Sequence, residues 1–293
     1  MSEYAIMERF RDDDRLREAY FRFLPRVFSN VNFREWYDRG CWPDGYNPIS
    51  IVVDNEIVSN VSLAHMNLLV DGERRTALQL GAVGTLPEWR KRGLSRLLMD
   101  YAIDRYADTV DLMFLFANDG VVDFYPHFGF SPHREVVFVR DTAIPRSDFR
   151  ARRLDIQVPS DWQFLVNRIA SRSVLTKLFG AVSYDCVTTW HLINLHPNHV
   201  YHLEDPDLIA IVSERDGIVR IWDLIFGSPF DPEVLLPRIL PPGRIGEVHY
   251  YFSPDLVTFR YDRVQAVPDS HLFVRGEFPV AGRHFKFPAT AET

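Results

Sequence analysis

The 293 residues predict an α/β (α+β) protein in two parts, and three observations carry that expectation. β-rich runs joined by short turns alternate with stretches of helical spacing from Tyr4 to Arg140. Val110 to Ala117 (VDLMFLFA) is almost continuously apolar, as suits a strand covered on both faces. A Pro- and Arg-bearing stretch at 143–160 then separates this half from a second one that faintly echoes it. The predicted division is 1–145 and 146–293.

The elements follow in order. Tyr4 to Phe10 reads as a short strand, and Asp12, Asp13 and Asp14 supply an N-cap and first-turn acids. Leu16, Ala19, Tyr20, Phe23 and Leu24 then recur at helical spacing. Pro43 to Pro48 marks a loop. Ile49 to Val53 and Ile57 to Leu63 form a hairpin about Asp54-Asn55-Glu56, and Asp71-Gly72-Glu73 turns the chain into a strand at Ala77 to Val83. Leu94, Leu97, Leu98, Tyr101 and Ala102 share one helical face. After the apolar strand, a short helix is expected over Val121 to His127 and a strand over Glu135 to Arg140. In the second half, Ile209 to Ser213 and Ile218 to Phe226 flank a turn, followed by a helix at Asp231 to Leu240 and a strand at Glu247 to Phe252.

Composition narrows the function. With 46% apolar and 25% charged residues the chain is globular. A net charge of −7 argues against a nucleic-acid partner. Cys41 and Cys186 make no disulfide framework and fit a reducing compartment. The opening residues lack an apolar signal core, and no run of 18 apolar residues occurs. The expectation is a cytoplasmic protein without a membrane partner.

The chemistry concentrates at 80–95, where a strand ends, turns and opens an amphipathic helix. The first amides of a helix lack internal acceptors and carry about +0.5 charge, so such an end binds phosphate oxygens. Gly93 leaves room for close approach, and Arg90, Lys91, Arg92 and Arg96 face only Glu88. Some thirty residues on, Tyr125-Pro126-His127-Phe128-Gly129-Phe130 closes an aromatic turn at Gly129.

Taken together, Arg90-x-x-Gly93-x-Ser95 and Tyr125-x-x-Phe128-Gly129-Phe130 resemble the GNAT superfamily of N-acetyltransferases. The resemblance spans residues 1 to about 142 in element order, with its specific residues at 83–130. It departs at Ser95, where the family has Gly or Ala. It implies a GNAT-like, mostly antiparallel sheet flanked by helices, and acetyl-CoA as co-substrate. The amides of Arg90, Lys91, Arg92, Gly93, Leu94 and Ser95 would hold the pyrophosphate. Val83, Gly84 and Thr85 would align the pantetheine arm, with Asn118 as a polar contact. Tyr125 would be the acid that protonates the leaving thiolate.

The implied reaction moves an acetyl group to a small-molecule or peptide amine. A free alkylammonium near pKa 10.4 is neutral about once in 2,500 at pH 7, so its proton must be removed. The family often uses a strand glutamate; here that strand offers only Gln79. Glu73, His65, Asp119 and Asp123 are the alternatives, and the acidic protein weakly suits a cationic acceptor. A non-catalytic acyl-CoA sensor is the competing reading. His191, His196, His199 and His202 lack metal-site spacing, so no metal is expected. Trp222, Phe226, Phe230, Tyr250, Tyr251 and Phe252 read as core, with a pocket between the halves as the alternative. The second half has no Arg-x-x-Gly-x-small loop, as a degenerate GNAT-like unit would.

Overall fold

The computed structural model describes residues 4–29, 31–267 and 271–293, and places two mixed sheets side by side. The chain begins with β1 (Ala5–Glu8), α1 (Asp14–Val27) and α2 (Phe33–Asp38). Asp13 caps α1 by accepting from the Leu16 amide at 3.0 Å, and Leu16, Ala19, Tyr20, Phe23 and Leu24 are its buried stripe. There follow β2 (Tyr46–Val53), β3 (Glu56–Val70), β4 (Glu73–Thr85), α3 (Leu94–Tyr106), β5 (Leu112–Ala117) and β6 (Ser131–His133). Asp54 and Asn55, both at positive φ, turn β2 into β3; Asp71 and Gly72 do the same between β3 and β4. The hairpins pair antiparallel, whereas β4 and β5 run parallel because α3 carries the chain back between them.

Two local expectations change. Strand β2 starts at Tyr46, so the loop ends before Asn47 and Pro48. Pro48 is tolerated because β1 reaches only Ile49 on that side, leaving no ladder partner for a missing N–H. The helix expected over 121–127 is instead two 3₁₀ turns, Asp119–Val121 and Tyr125–Phe128, since Pro126 sits inside the second and cannot donate. Gly129 still closes it at φ +79°.

The second half supplies β7 (Val136–Arg140), β8 (Arg152–Arg153), α4 (Pro159–Ala170), β9 (Phe179–Ala181), α5 (Asp185–Asn194) and β10 (Val200–Leu203). Next come β11 (Leu208–Arg215), β12 (Ile218–Phe226), α6 (Pro232–Ile239), β13 (Glu247–Tyr250), β14 (Arg263–Ala266) and β15 (His271–Gly276). Hairpin β11–β12 followed by α6 and a parallel β13 repeats the order β3, β4, α3, β5. Both sheets thus share the order hairpin, helix, parallel strand, and Trp222, Phe226, Phe230, Tyr250 and Phe252 pack in or against the second unit's own interior.

Neither sheet respects position 145. The first runs β1-β2-β3-β4-β5-β15-β6, with β9 on the far end of β3; the second runs β14-β7-β13-β12-β11-β10-β8. Strand β7 crosses into the second sheet, and β15 returns from the far end of the chain to fill the gap between β5 and β6. Leu272, Phe273 and Val274 are buried there.

Candidate active site

The site grows from a defect in β4. Ser62 faces Gly81 and Asn60 faces Gly84, so β4 carries one extra residue, and Ala82 takes φ +46°. Such a bulge frees a carbonyl. Buried Asn60 covers it, donating from Nδ2 to the Ala82 carbonyl at 2.9 Å while accepting from Ser50 at 2.8 Å. Beyond Leu80 the pairing of β4 with β5 stops and the two strands part.

A cavity of about 500 Å³ opens at this splay. One wall is Leu80 to Val83 of β4, Phe116 and Ala117 of β5, and Asn118 just after it. Tyr125 lies in it, 5% exposed, its ring tilted against Phe273 of β15 at 5.5 Å. Burial pushes its phenol up to about 12, so it keeps its proton throughout the neutral range. The opposite wall comes from the α1–α2 turn (Phe28, Val31, Phe33, Trp36) and from Cys186 and Trp190 of α5. Trp36 donates to the Cys186 carbonyl at 2.9 Å, tying these elements across the two halves. Thr293 closes the floor; a Cβ on Gly81 would lie 2.6 Å from its hydroxyl.

At the far end of β4, α3 starts at Leu94 with Gly93 as N-cap at φ +78°. A Cβ on Gly93 would meet nothing within 4 Å, so the approach to the helix end is open. The ladder begins with the Leu97 amide on the Gly93 carbonyl, which leaves the amides of Leu94, Ser95 and Arg96 without intrahelical acceptors. Ser95 is not an idle departure: Ser59, Thr85 and Ser95 form a hydroxyl chain with 2.8 Å links, fastening the helix start to the strand end. Arg90 holds the Thr85 carbonyl at 3.3 Å and Arg92 lies 4.5 Å over Trp89. Glu88 turns away to pair with Arg26, and among the described residues no carboxylate pairs with Arg90, Lys91, Arg92 or Arg96. These groups fit a diphosphate.

The structure therefore gathers Val83, Asn118 and Tyr125 in one cavity and sets Gly84, Thr85 and the 90–95 loop beyond it on the same strand and helix. It does not gather the proposed bases: Glu73, His65, Asp119 and Asp123 lie outside the lining, as does Gln79, which stands in place of the strand glutamate. Gln79 is buried on the opposite face of β4 from Leu78 and Leu80, Glu73 pairs with Arg75, and Asp119 meets His271 at 2.6 Å. The expected bias toward a cationic acceptor also finds no counterpart here, because no acidic side chain lines the cavity. Nothing in the residue pattern marks Trp190 or Thr293, and Asn60 offers one signal, a lone amide in a β-rich run.

The histidine group lies elsewhere. His191 donates from Nε2 to the Glu292 carbonyl at 2.7 Å and stacks on His196 at 6.2 Å. Burial lowers His191 to about 4 and His196 to about 3, so both are neutral. Among the described residues no helix is long and apolar enough to cross a membrane.

Comparison with known proteins agrees with this geometry. Residues 14–133 match the family described as an acetyltransferase (GNAT) domain. None of the curated protein sequences matches the chain. Among solved structures, a probable N-acyltransferase from Enterococcus faecalis superposes with TM-score 0.64 at 14% identity, covering 92% of this chain and 72% of that one. A GCN5-related N-acetyltransferase from Kribbella flavida gives 0.58 at 18% identity, covering 92% and 71%. A putative acetyltransferase from Pyrococcus horikoshii gives 0.53 at 13% identity, covering 100% and 97%. With its splayed β4 and β5, its bulge and its open helix end, the segment 14–133 is similar to the acetyltransferase (GNAT) domain family.

Proposed function

We propose that the chain transfers an acetyl group from acetyl-CoA to a primary amine by direct attack in a ternary complex, with Tyr125 as general acid. One observation carries the reading: Tyr125 lies in the same cavity as the β4 bulge, and that strand leads directly to the open start of α3. In this reading Val83, Gly84 and Thr85 pair with the pantetheine arm, Asn118 contacts it, and the amides from Arg90 to Ser95 hold the diphosphate. Residues 1–145 provide the catalytic residues, on a sheet that β9 and β15 of the second half complete. Residues 146–293 are a degenerate GNAT-like partner that shapes the acceptor side through α5.

The amine must lose a proton before or during attack, and the thiol must gain one. A phenol near 12 is a weaker acid than a thiol near 8.5. Complete transfer from Tyr125 would be uphill by about 3.5 pKa units, or about 4.8 kcal/mol. Tyr125 therefore acts as general acid without standing as a phenolate: its proton moves along the hydrogen bond to sulfur as the C–S bond breaks, and the proton shed by the amine replaces it. The buried, water-poor setting strengthens that bond.

Calorimetry with acetyl-CoA and release of free thiol test the assignment. Gly93→Trp fills the open approach and is expected to abolish acetyl-CoA binding. Gly93→Asn, which tolerates positive φ, is the folding control and retains binding. Undiminished affinity in a folded Gly93→Trp protein removes the diphosphate assignment. Micromolar binding without thiol release for any amine favours a sensor.

A further inference from the structure

We infer that the acceptor is a small amine carried on an aromatic or branched apolar body, with one nitrogen and few other polar groups. The inference deepens the acyl-transfer reading and rests on it for the position of the reacting atoms. Three features of the wall carry it. First, Phe28, Phe33, Trp36 and Trp190 present rings to the space beyond the splay, from elements 150 residues apart in sequence that Trp36 and Cys186 lock together. Second, no Asp, Glu, Lys, Arg or His lines the cavity. Third, few polar side-chain atoms there are free: among the described residues, buried Trp190 Nε1 and Thr293 Oγ1 hold no hydrogen bond, whereas the others on that wall are engaged. The Tyr46 hydroxyl bonds Tyr20 at 3.0 Å, and Trp36 Nε1 bonds the Cys186 carbonyl.

With only the Thr293 hydroxyl free to accept from an ammonium and Trp190 Nε1 free to donate to a hydroxyl, an acceptor with several ammonium or hydroxyl functions would lose its water at most of them without gaining a partner. A polyamine or amino sugar carries several such groups. The reacting nitrogen escapes the penalty because it must shed its proton to attack, and an apolar wall favours the neutral form. Size agrees as well. A benzene ring needs about 150 Å³, so a cavity of about 500 Å³ takes a one- or two-ring body beside the thioester end.

The test uses the full chain. Thiol release from acetyl-CoA is followed with phenethylamine, tryptamine, spermidine and glucosamine, and amine binding is measured separately by calorimetry. The expected result is kcat/KM about 100-fold higher for the arylalkylamines, and detectable binding of phenethylamine but not of spermidine. Val31→Asp places a carboxylate on the half-buried wall and is expected to shift the ratio toward spermidine by about tenfold. Spermidine or glucosamine turned over or bound as well as phenethylamine overturns the inference. So does octanoyl-CoA outperforming acetyl-CoA while displacing phenethylamine, because the cavity then holds the acyl chain. Absence of thiol release with every amine defeats the acyl-transfer reading instead, and the calorimetric ranking still decides what the wall accepts.

Discussion

In the proposed reaction Tyr125 and Asn60 serve the same place by different means. Tyr125 contributes a proton donor that burial keeps neutral, so Tyr125→Phe is expected to lower kcat about 10²-fold while the acetyl-CoA Kd stays within about twofold. Steady-state kinetics and calorimetry check both numbers. Because the phenol ionises only near 12, the wild-type pH profile shows no descending limb from Tyr125 up to about pH 10; a fall with an apparent pKa of 8–9 that vanishes in Tyr125→Phe contradicts this. Asn60 touches no reacting atom. It holds the bulge that orients the amides of Val83 and Gly84, and Asn60→Ala leaves the Ala82 carbonyl without its donor. The cost is about 1–3 kcal/mol of stability, read from denaturant unfolding. A loss of kcat/KM of about tenfold or more at a temperature where the variant is fully folded marks a positioning role.

After β15 the chain turns back onto the first sheet. Segment 285–293 packs against β4, β5 and α5, and it is anchored by a buried ammonium. Lys286 donates to Glu135 at 2.8 Å and also pairs with Glu292, while the Phe287 amide donates to Glu135 at 2.7 Å. Burial alone lowers the Lys286 pKa, but the two carboxylates outweigh it and raise it. Lys286→Met leaves both carboxylates inside without a counter-ion, so about 3–5 kcal/mol of stability is lost. Thermal and urea unfolding measure it. Burial, then the Glu135 charge, raises Glu292 to about 7, against about 4.3 in the unfolded chain. The folded state therefore holds an extra proton between these values, and this group makes stability fall as pH rises from 5 to 7. Glu292→Gln is expected to flatten that slope; an unchanged slope assigns it to other groups.

For the whole molecule, the crossing of β7 and β15 makes the two sheets interdependent. A chain cut at 145 leaves the first sheet without β15, so β5 and β6 lose their partner and Leu272, Phe273 and Val274 are missing from the core. Open edges of that kind aggregate. A fragment of residues 1–145 is expected to be insoluble or unfolded by circular dichroism, and co-expression with 146–293 to restore a soluble complex. A stable, monomeric 1–145 fragment that binds acetyl-CoA contradicts this. The same crossing brings α5 against α2, so the second unit completes the cavity with Cys186 and Trp190.

Local pattern was enough for much of this protein. Asp13 before an apolar stripe, Asp54-Asn55 and Asp71-Gly72 between β-rich runs, and Gly93 before a helical period each dictate a backbone conformation within a few residues. The helix start after Gly93 and the turn closed by Gly129 are legible for the same reason, since both are set by main-chain geometry. The rest depends on contacts between distant residues. That β15 fills the first sheet and β7 the second, that Trp36 meets Cys186, and that Gly81 leaves space for Thr293 are outcomes of which apolar faces find each other. Burial is a property of the packed whole, so the character of the acceptor wall was decided only when the two halves came together.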